Sequence, residues 1–190
     1  MTNDINYKPD FSKTGKEMLV DLINWANRNT LIKPLNAGEV YFSHPLSLPS
    51  NSDCNTSITI DNAVWYRGFE HPTKIQYNRL DLTLLARSLH FSFDIEVEDT
   101  NRYTTARNLI PLINQTLNIH LEENDIKYEL LDNADKNGCI QVVMKVADNS
   151  IAFTGELRFK LSPKPIRLDT GIVNTKFTKS FRPPNVYGLG

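Results

Sequence analysis

The sequence lacks most of the features that assign a protein to a class directly. It contains two cysteines, Cys54 and Cys139, among 190 residues, and its first ten residues include no apolar run. Without an export signal a disulfide between the two is not expected, and two cysteines without a spaced histidine pair do not form a zinc site. No stretch approaches the ~18 apolar residues of a membrane helix. We therefore expect a cytosolically assembled protein with two free thiols.

Neither the charge nor the motifs point to catalysis. The formal net charge is −1, which gives no general attraction to nucleic acid or to an anionic membrane. The chain has no G-x-S-x-G, P-loop, G-x-G-x-x-G or H-E-x-x-H sequence, and none of its four histidines are spaced as joint metal ligands. We therefore expect no enzyme, no cofactor, no metal site, and no nucleic-acid, membrane or small-molecule partner.

Two groups of oxygen-bearing side chains have alternative interpretations. Residues 133–138 resemble the first half of a calcium loop, but the closing carboxylate would fall at Met144, so we predict a hairpin turn there. Within the predicted strand 89–97, Asp94 and Glu96 could serve a hydrolase as an acid–base pair. Acidic residues that alternate with apolar ones more commonly form a solvated strand face, so hydrolysis is kept only as an alternative.

The strongest signal in the sequence is an internal repeat. Leu19–Asn24 matches Leu109–Asn114, and each segment carries the apolar stripe of a predicted helix. Three further pairs of segments match, at offsets that shrink from about 87 to about 83 residues as the loops of the second copy shorten. They pair 36–41 with 123–128, 54–60 with 139–144, and 66–77 with 153–159. We therefore predict two copies of one helix-then-strands unit.

The predicted fold class is α+β, with two tandem copies of a helix plus three or four strands, mainly antiparallel sheets, and an extended C-terminal arm. Ser12 or Thr14 can cap a first helix that begins near Gly15. The second helix begins at Thr105 with a kink at Pro111, or begins at Pro111. The predicted strands are 39–42, 56–60, 74–82 with a bulge at 78–79, 89–97, 126–131, 139–146 and 151–161, and the linker between copies is 83–88. The predicted regions are a flexible N-terminus at 1–11, repeat 1 at 12–88, repeat 2 at 89–162 and the arm at 163–190.

The last segment has a composition of its own. From Ser162 onward the chain has four prolines, no hydrophobic period, and five basic residues against one acidic residue. In a monomer this would be a solvent-exposed tail; in an assembly it would order on a neighbour, and its aromatic residues favour the second interpretation. The predicted partner-binding residues are Arg167, Lys176, Phe177, Lys179, Phe181, Arg182 and Tyr187 in the arm, with Trp65, Tyr66 and Arg79 in the first copy.

Two stretches resemble a known family. Tyr77–Leu82, and the run Tyr103–Asn114 closed by Asn124–Ile126, resemble a small domain of virion structural proteins from large tailed bacteriophages. That domain has an asparagine-ended leucine-rich helix, an acidic-then-isoleucine entry to a strand, and a strand ending in Tyr-Asn-Arg-Leu-Asp-Leu. The resemblance covers most of residues 15–161. It implies a homo-oligomeric, non-enzymatic component of the tail, baseplate or neck, located in the virion and bound to copies of itself and other virion proteins.

The resemblance leaves the role of Arg79 open. The second copy has Phe159–Ser162 where the first has the Tyr-Asn-Arg ending, so a contact made by that ending belongs to the first copy alone. A bulged strand with a local Arg79–Asp81 ion pair is the other interpretation. A different function is also considered, a cytosolic carbohydrate- or peptide-binding module that uses the aromatic loop 65–71.

Overall fold

The computed structural model describes residues 7–63 and 71–165 and has the expected mixed α+β class. Its α-helices are α1 (Gly15–Ala26), α2 (Leu82–Ser88) and α3 (Ile110–Leu117). Its strands are β1 (Val40–Phe42), β2 (Leu46–Ser47), β3 (Thr56–Asn62), β4 (Thr73–Tyr77), β5 (Leu80–Asp81), β6 (Asp94–Val97), β7 (Ile140–Lys145), β8 (Phe153–Thr154) and β9 (Glu156–Pro163). Short 3₁₀ helices lie at Thr100–Arg102, Ala106–Leu109 and Glu123–Asp125.

The sheet of the first half is antiparallel and is built around β3. Strands β1 and β2 pair with one edge of β3, and β4 pairs with the other, in a register that sets Ile58 opposite Ile75. Helix α1 covers this sheet because its apolar residues recur at helical spacing. The core of this half contains Leu19, Val20, Val40, Phe42, Ile58 and Tyr77.

The sheet of the second half is mixed and is built around β9. Strand β7 pairs with β9 in the antiparallel sense, and β6 pairs with its other edge in the parallel sense. On the far side of β7, Ile126 forms a single antiparallel bridge to Val146. The larger hydrophobic core lies here, between this sheet, α2 and α3. Its fully buried side chains include Leu82, Leu109, Ile113, Phe153, Leu157 and Leu161.

The helix starts agree with the sequence-based expectations at residue level. Thr14 caps α1 with a capping box: its side chain accepts the backbone N–H of Glu17, and the Glu17 carboxylate accepts the backbone N–H of Thr14. In the second half, α3 places Pro111 in its first turn, where the missing N–H costs no hydrogen bond. A 3₁₀ turn capped by Thr105 precedes it. The alternative in which the helix begins at the proline is therefore the correct one, and no mid-helix kink forms.

Three sequence-based expectations about elements are wrong. Residues 83–88 are not a linker: they lie in α2, which buries Leu82, Leu85 and Ala86. The predicted strand 89–97 is reduced to β6 at Asp94–Val97, and residues 89–93 before it form a turn and irregular backbone. The predicted strand 126–131 is reduced to two isolated bridges, at Ile126 and Leu130. In both of these segments apolar and polar residues alternate, but no neighbouring strand pairs along the whole length.

The predicted bulge at 78–79 is a larger break than expected. Strand β4 ends at Tyr77, and after Asn78 and Arg79 the chain leaves the first sheet. Strand β5 then pairs in parallel with β8 of the second half, with Leu80 opposite Phe153. The change of phase seen in the sequence is therefore a change of sheet.

Candidate functional site

The segment Tyr77–Leu82 forms a junction between the two halves. Tyr77 donates a hydrogen bond from its hydroxyl to the carbonyl oxygen of Ile151 at 2.7 Å. Leu80 donates its backbone N–H to the carbonyl oxygen of Ala152 at 2.8 Å. Both bonds cross from the first half to the loop before β8. The Tyr77–Leu82 segment therefore makes direct contacts between the two halves of the chain.

Arg79 is the most heavily used residue of this junction. Its side chain is 9% exposed. Nε donates to Thr56 Oγ1 at 2.9 Å, Nη2 donates to Ser47 Oγ at 3.3 Å, and Nη1 donates to the carbonyl oxygens of Asp148 and Ser150, both at 3.2 Å. A guanidinium is suited to this position because its five donors diverge in a fixed plane. Strand β2, strand β3 and the loop before β8 are thus joined by one side chain.

The local Arg79–Asp81 ion pair is not formed. Asp81 instead caps α2, where Oδ1 accepts the backbone N–H of Leu84 at 2.9 Å. Gly155 packs directly against this carboxylate, since a Cβ built on Gly155 would lie 2.7 Å from Asp81 Oδ2. Its φ of +81° is also one that residues other than glycine rarely adopt. The aspartate of the motif therefore starts a helix, and the arginine reaches across to the other half.

A groove opens beside the junction, between α1 and the end of β4. Its volume is about 490 Å³, and its lining is mainly apolar. One wall is the α1 stripe of Gly15, Met18, Leu19 and Leu22, and the opposite wall is Gln76–Asn78. Tyr7 and Pro9 also line it. The Tyr7 hydroxyl donates to the carbonyl oxygen of Met18 at 3.2 Å.

Tyr77, in the wall of this groove opposite α1, is expected to make the free energy of unfolding depend on pH in the alkaline range. Burial raises its pKa from 10.0 to about 12, and the nearby charge of Arg79 offsets a smaller part. Because the folded pKa lies above the unfolded one, the stabilisation is complete below pH ~10 and is lost as pH rises through ~12. We expect the free energy of unfolding to fall by at most about 2.7 kcal/mol over that window.

Urea titrations at pH 9, 10 and 11 test this for wild type, Tyr77→Phe and Tyr41→Phe. Tyr41 is 59% exposed and provides the matched control. The alkaline loss should shrink in Tyr77→Phe, whose ring has no ionisable group, and should persist in Tyr41→Phe. An undiminished loss in Tyr77→Phe would assign the pH dependence to other groups.

Two asparagines close equivalent loops in the two halves, a role that the sequence-based analysis did not assign. Asn24 Oδ1 accepts the backbone N–H of Leu35 at 2.7 Å, and its Nδ2 donates to the Leu35 carbonyl at 2.9 Å. Asn114 makes the same pair of bonds to Leu121, at 2.8 and 2.9 Å. The signal was present: both residues end the matched segments Leu19–Asn24 and Leu109–Asn114. Each asparagine fixes the chain that leaves the helix and leads to the next strand.

Of the predicted partner-binding residues, Arg79 is the one that the structure describes. The others lie outside the described residues: Trp65, Tyr66, Arg167, Lys176, Phe177, Lys179, Phe181, Arg182 and Tyr187. The binding roles given to them, including that of the aromatic loop 65–71, stay predictions. For Arg79, the contacts seen join the two halves of this chain.

The remaining candidates from the sequence have ordinary surroundings. Cys54 and Cys139 are free thiols. Residues 133–138 form a turn in which Asp135 accepts the backbone N–H groups of Asn137 and Cys139, each at 2.8 Å. Asp94 accepts from Ser162 at 2.7 Å, which lowers its pKa, and lies 3.5 Å from Lys160. Among residues 7–63 and 71–165, no group of three potential ligands could hold a metal ion, and no helix is long and apolar enough to cross a membrane.

Comparison with known proteins gives a match over most of the chain. A family model described as "Family of unknown function (DUF7941)" matches residues 9–183. No curated protein and no solved structure matches the chain.

Proposed function

The chain belongs to the family of unknown function DUF7941, whose model matches residues 9–183. Since this family indicates no activity, we propose a function from the residues of the chain itself. The protein is a non-enzymatic structural component of a bacteriophage virion, in the tail, baseplate or neck. It is built from a duplicated α+β unit. It assembles with copies of itself and with other virion proteins through its two small domains and its C-terminal arm.

The observation that carries this proposal is the use of the phage-like segments. Within Tyr77–Leu82, Tyr77 and Arg79 join the two halves and Asp81 caps α2. The Leu109–Asn114 helix positions the loop that follows it. These segments have structural roles and are not gathered around a reactive group. Residues that resemble those of a virion structural domain thus stabilise the fold of this chain.

The duplication is supported by three independent sets of contacts. The Asn24 and Asn114 bonds are equivalent, as described above. The carbonyl of Glu39 accepts the N–H of Ala63, as that of Asp125 accepts the N–H of Ala147. The strand registers also correspond, because the pairs Thr56–Tyr77 and Ile140–Leu161 both differ by 21 positions in the chain. Equivalent partners are expected of two copies of one unit.

The assembly role is tested by light scattering coupled to size-exclusion chromatography. Wild type should elute as a multiple of its 21.7 kDa mass. Deletion of Asp169–Gly190 should release the monomer, while the urea midpoint changes little, because the arm is proposed to bind a neighbouring protein and not its own core. A second variant, Phe177→Ser with Phe181→Ser, should weaken assembly in the same direction, because buried aromatic anchors carry much of a protein interface.

A wild type that remains monomeric at high concentration, or a truncated protein that assembles as wild type does, would count against the arm. Mass spectrometry of particles purified from the source of the gene tests the virion assignment separately. Peptides of this chain at a fixed ratio to the other structural proteins are expected. Their absence from purified particles would remove the virion assignment whatever the oligomeric state.

A further inference from the structure

The two sheets differ at one edge. The outer edge of β9 is covered by β6, which runs parallel to it from Asp94 to Val97. Strand β4 holds the equivalent place in the first half, but no strand among the described residues pairs with its outer edge. An open strand edge presents unpaired N–H and C=O groups and readily accepts another strand.

The apolar groove lies where this strand is missing. In the second half, Lys160, Leu161 and Ser162 pair with Asp94, Ile95 and Glu96. The strand registers make Gln76, Tyr77 and Asn78 the equivalents of those three β9 residues. These are the residues that form the β4 wall of the groove, opposite the apolar stripe of α1. The register of the open site therefore corresponds to the one that β6 occupies.

The sequence supplies an occupant with the same spacing. Residues 4–7 read Asp-Ile-Asn-Tyr and residues 94–97 read Asp-Ile-Glu-Val, at the offset of 90 that also relates Leu19–Asn24 to Leu109–Asn114. We propose that the groove between α1 and β4 is a strand-binding site and that its occupant is Asp4–Asn6 of the same chain. The strand lies parallel to β4, with Asp4 opposite Gln76 and Ile5 opposite Tyr77. The inference rests on the proposed duplication, but not on the arm or on the virion assignment.

The position of Tyr7 favours the same chain over a second copy. Tyr7 lines the groove, with its hydroxyl bonded to α1 and its ring 5.7 Å from that of Trp25. Asp4–Asn6 therefore need no linker to reach the site, and a directly tethered segment has an effective concentration in the millimolar range. In the second half, Ile95 packs against the main core. Ile5 would fill the groove in the same way, beside Tyr77 and facing Met18 and Leu22.

Disulfide trapping in the full-length chain tests the register and the source of the strand together. In a Cys54→Ser, Cys139→Ser background, Asp4→Cys is combined with Gln76→Cys or, as the matched control, with Lys74→Cys. Both β4 side chains are exposed, so neither change disturbs the core. Lys74 lies two residues away, about 6.6 Å along the strand, which puts its Cα beyond the reach of a disulfide.

We expect the Asp4→Cys, Gln76→Cys pair to oxidise within one chain, giving a monomer of increased mobility on a non-reducing gel. The rate should be roughly tenfold higher than that of the Lys74→Cys pair, since the effective concentration is set by the register. Equal rates, or no cross-link in a variant with the wild-type circular dichroism spectrum, would overturn the proposed strand. A covalent dimer would overturn the same-chain source and indicate strand exchange between copies.

A second variant tests whether the groove holds the apolar side chain of Ile5. Ile5→Asp places a charge in the apolar groove, whereas Asn3→Asp places the same charge outside the register. Hydrogen exchange at 73–79, followed by mass spectrometry, should be accelerated by Ile5→Asp alone. Unchanged exchange in Ile5→Asp would contradict the proposal. Deletion of the arm should change neither the cross-linking rate nor the hydrogen exchange at 73–79. A failure of the strand proposal can therefore be distinguished from a failure of the proposed assembly role.

Discussion

Replacement of Arg79 with methionine is expected to lower the free energy of unfolding by about 3 kcal/mol. Methionine keeps part of the volume but removes four hydrogen bonds, two of which join the two halves. The Ser150 carbonyl, in a residue that is 2% exposed, loses its donor inside the fold. A buried acceptor left without a partner costs roughly 1–3 kcal/mol, which makes the loss larger than for a surface arginine.

Urea unfolding followed by circular dichroism measures this effect, with Arg102→Met as the control because Arg102 is exposed. The control should change the free energy of unfolding by less than about 0.5 kcal/mol. Arg79→Lys should restore little, since one ammonium group cannot span acceptors that lie in three directions. If Arg79→Met is as stable as Arg102→Met, the arginine is not what holds the junction, and its role as a partner contact becomes the better interpretation.

Replacement of Asn114 with alanine is expected to cost about 2–3 kcal/mol, and replacement of Asn24 less. Each change removes two hydrogen bonds to one backbone residue and leaves both its N–H and its carbonyl without that partner. Leu121 is 2% exposed, so its orphaned groups cannot be solvated, whereas Leu35 is half-buried and water can replace part of the loss. The order of the two effects follows from burial rather than from bond length.

Chemical denaturation of Asn24→Ala, Asn114→Ala and Gln115→Ala makes the comparison. Gln115 is exposed on the same helix as Asn114, and alanine is a better helix former, so this control should be neutral or slightly stabilising. Equal losses at the two asparagines would show that solvation of the loop does not matter. No loss at Asn114 would remove the amide as the element that closes the loop.

Helix α2 shows where local pattern reading failed. Leu89, Phe91 and Phe93 alternate with polar residues, and this favoured a strand that began at 89 and a linker before it. The helical spacing of Leu82, Leu85 and Ala86 and the capping aspartate were equally local signals, and these residues are the buried ones. The two patterns cover different residues, so the alternation from Leu89 onward did not exclude a helix before it. Packing of α2 against β9, which the sequence does not specify, made residues 82–88 a helix and not a linker.

The sequence by itself determined the α+β class. It also limited the cap of the first helix to Ser12 or Thr14 and the start of the second to Thr105 or Pro111, because caps and helix starts depend on residues within one or two turns of each other. Tertiary structure alone decided where Arg79 reaches, which strands run parallel, and that a groove stands open beside β4. The partners of Arg79 in the second half lie 69 and 71 residues away. Contacts over such separations depend on how the two halves pack, and no local pattern encodes that arrangement.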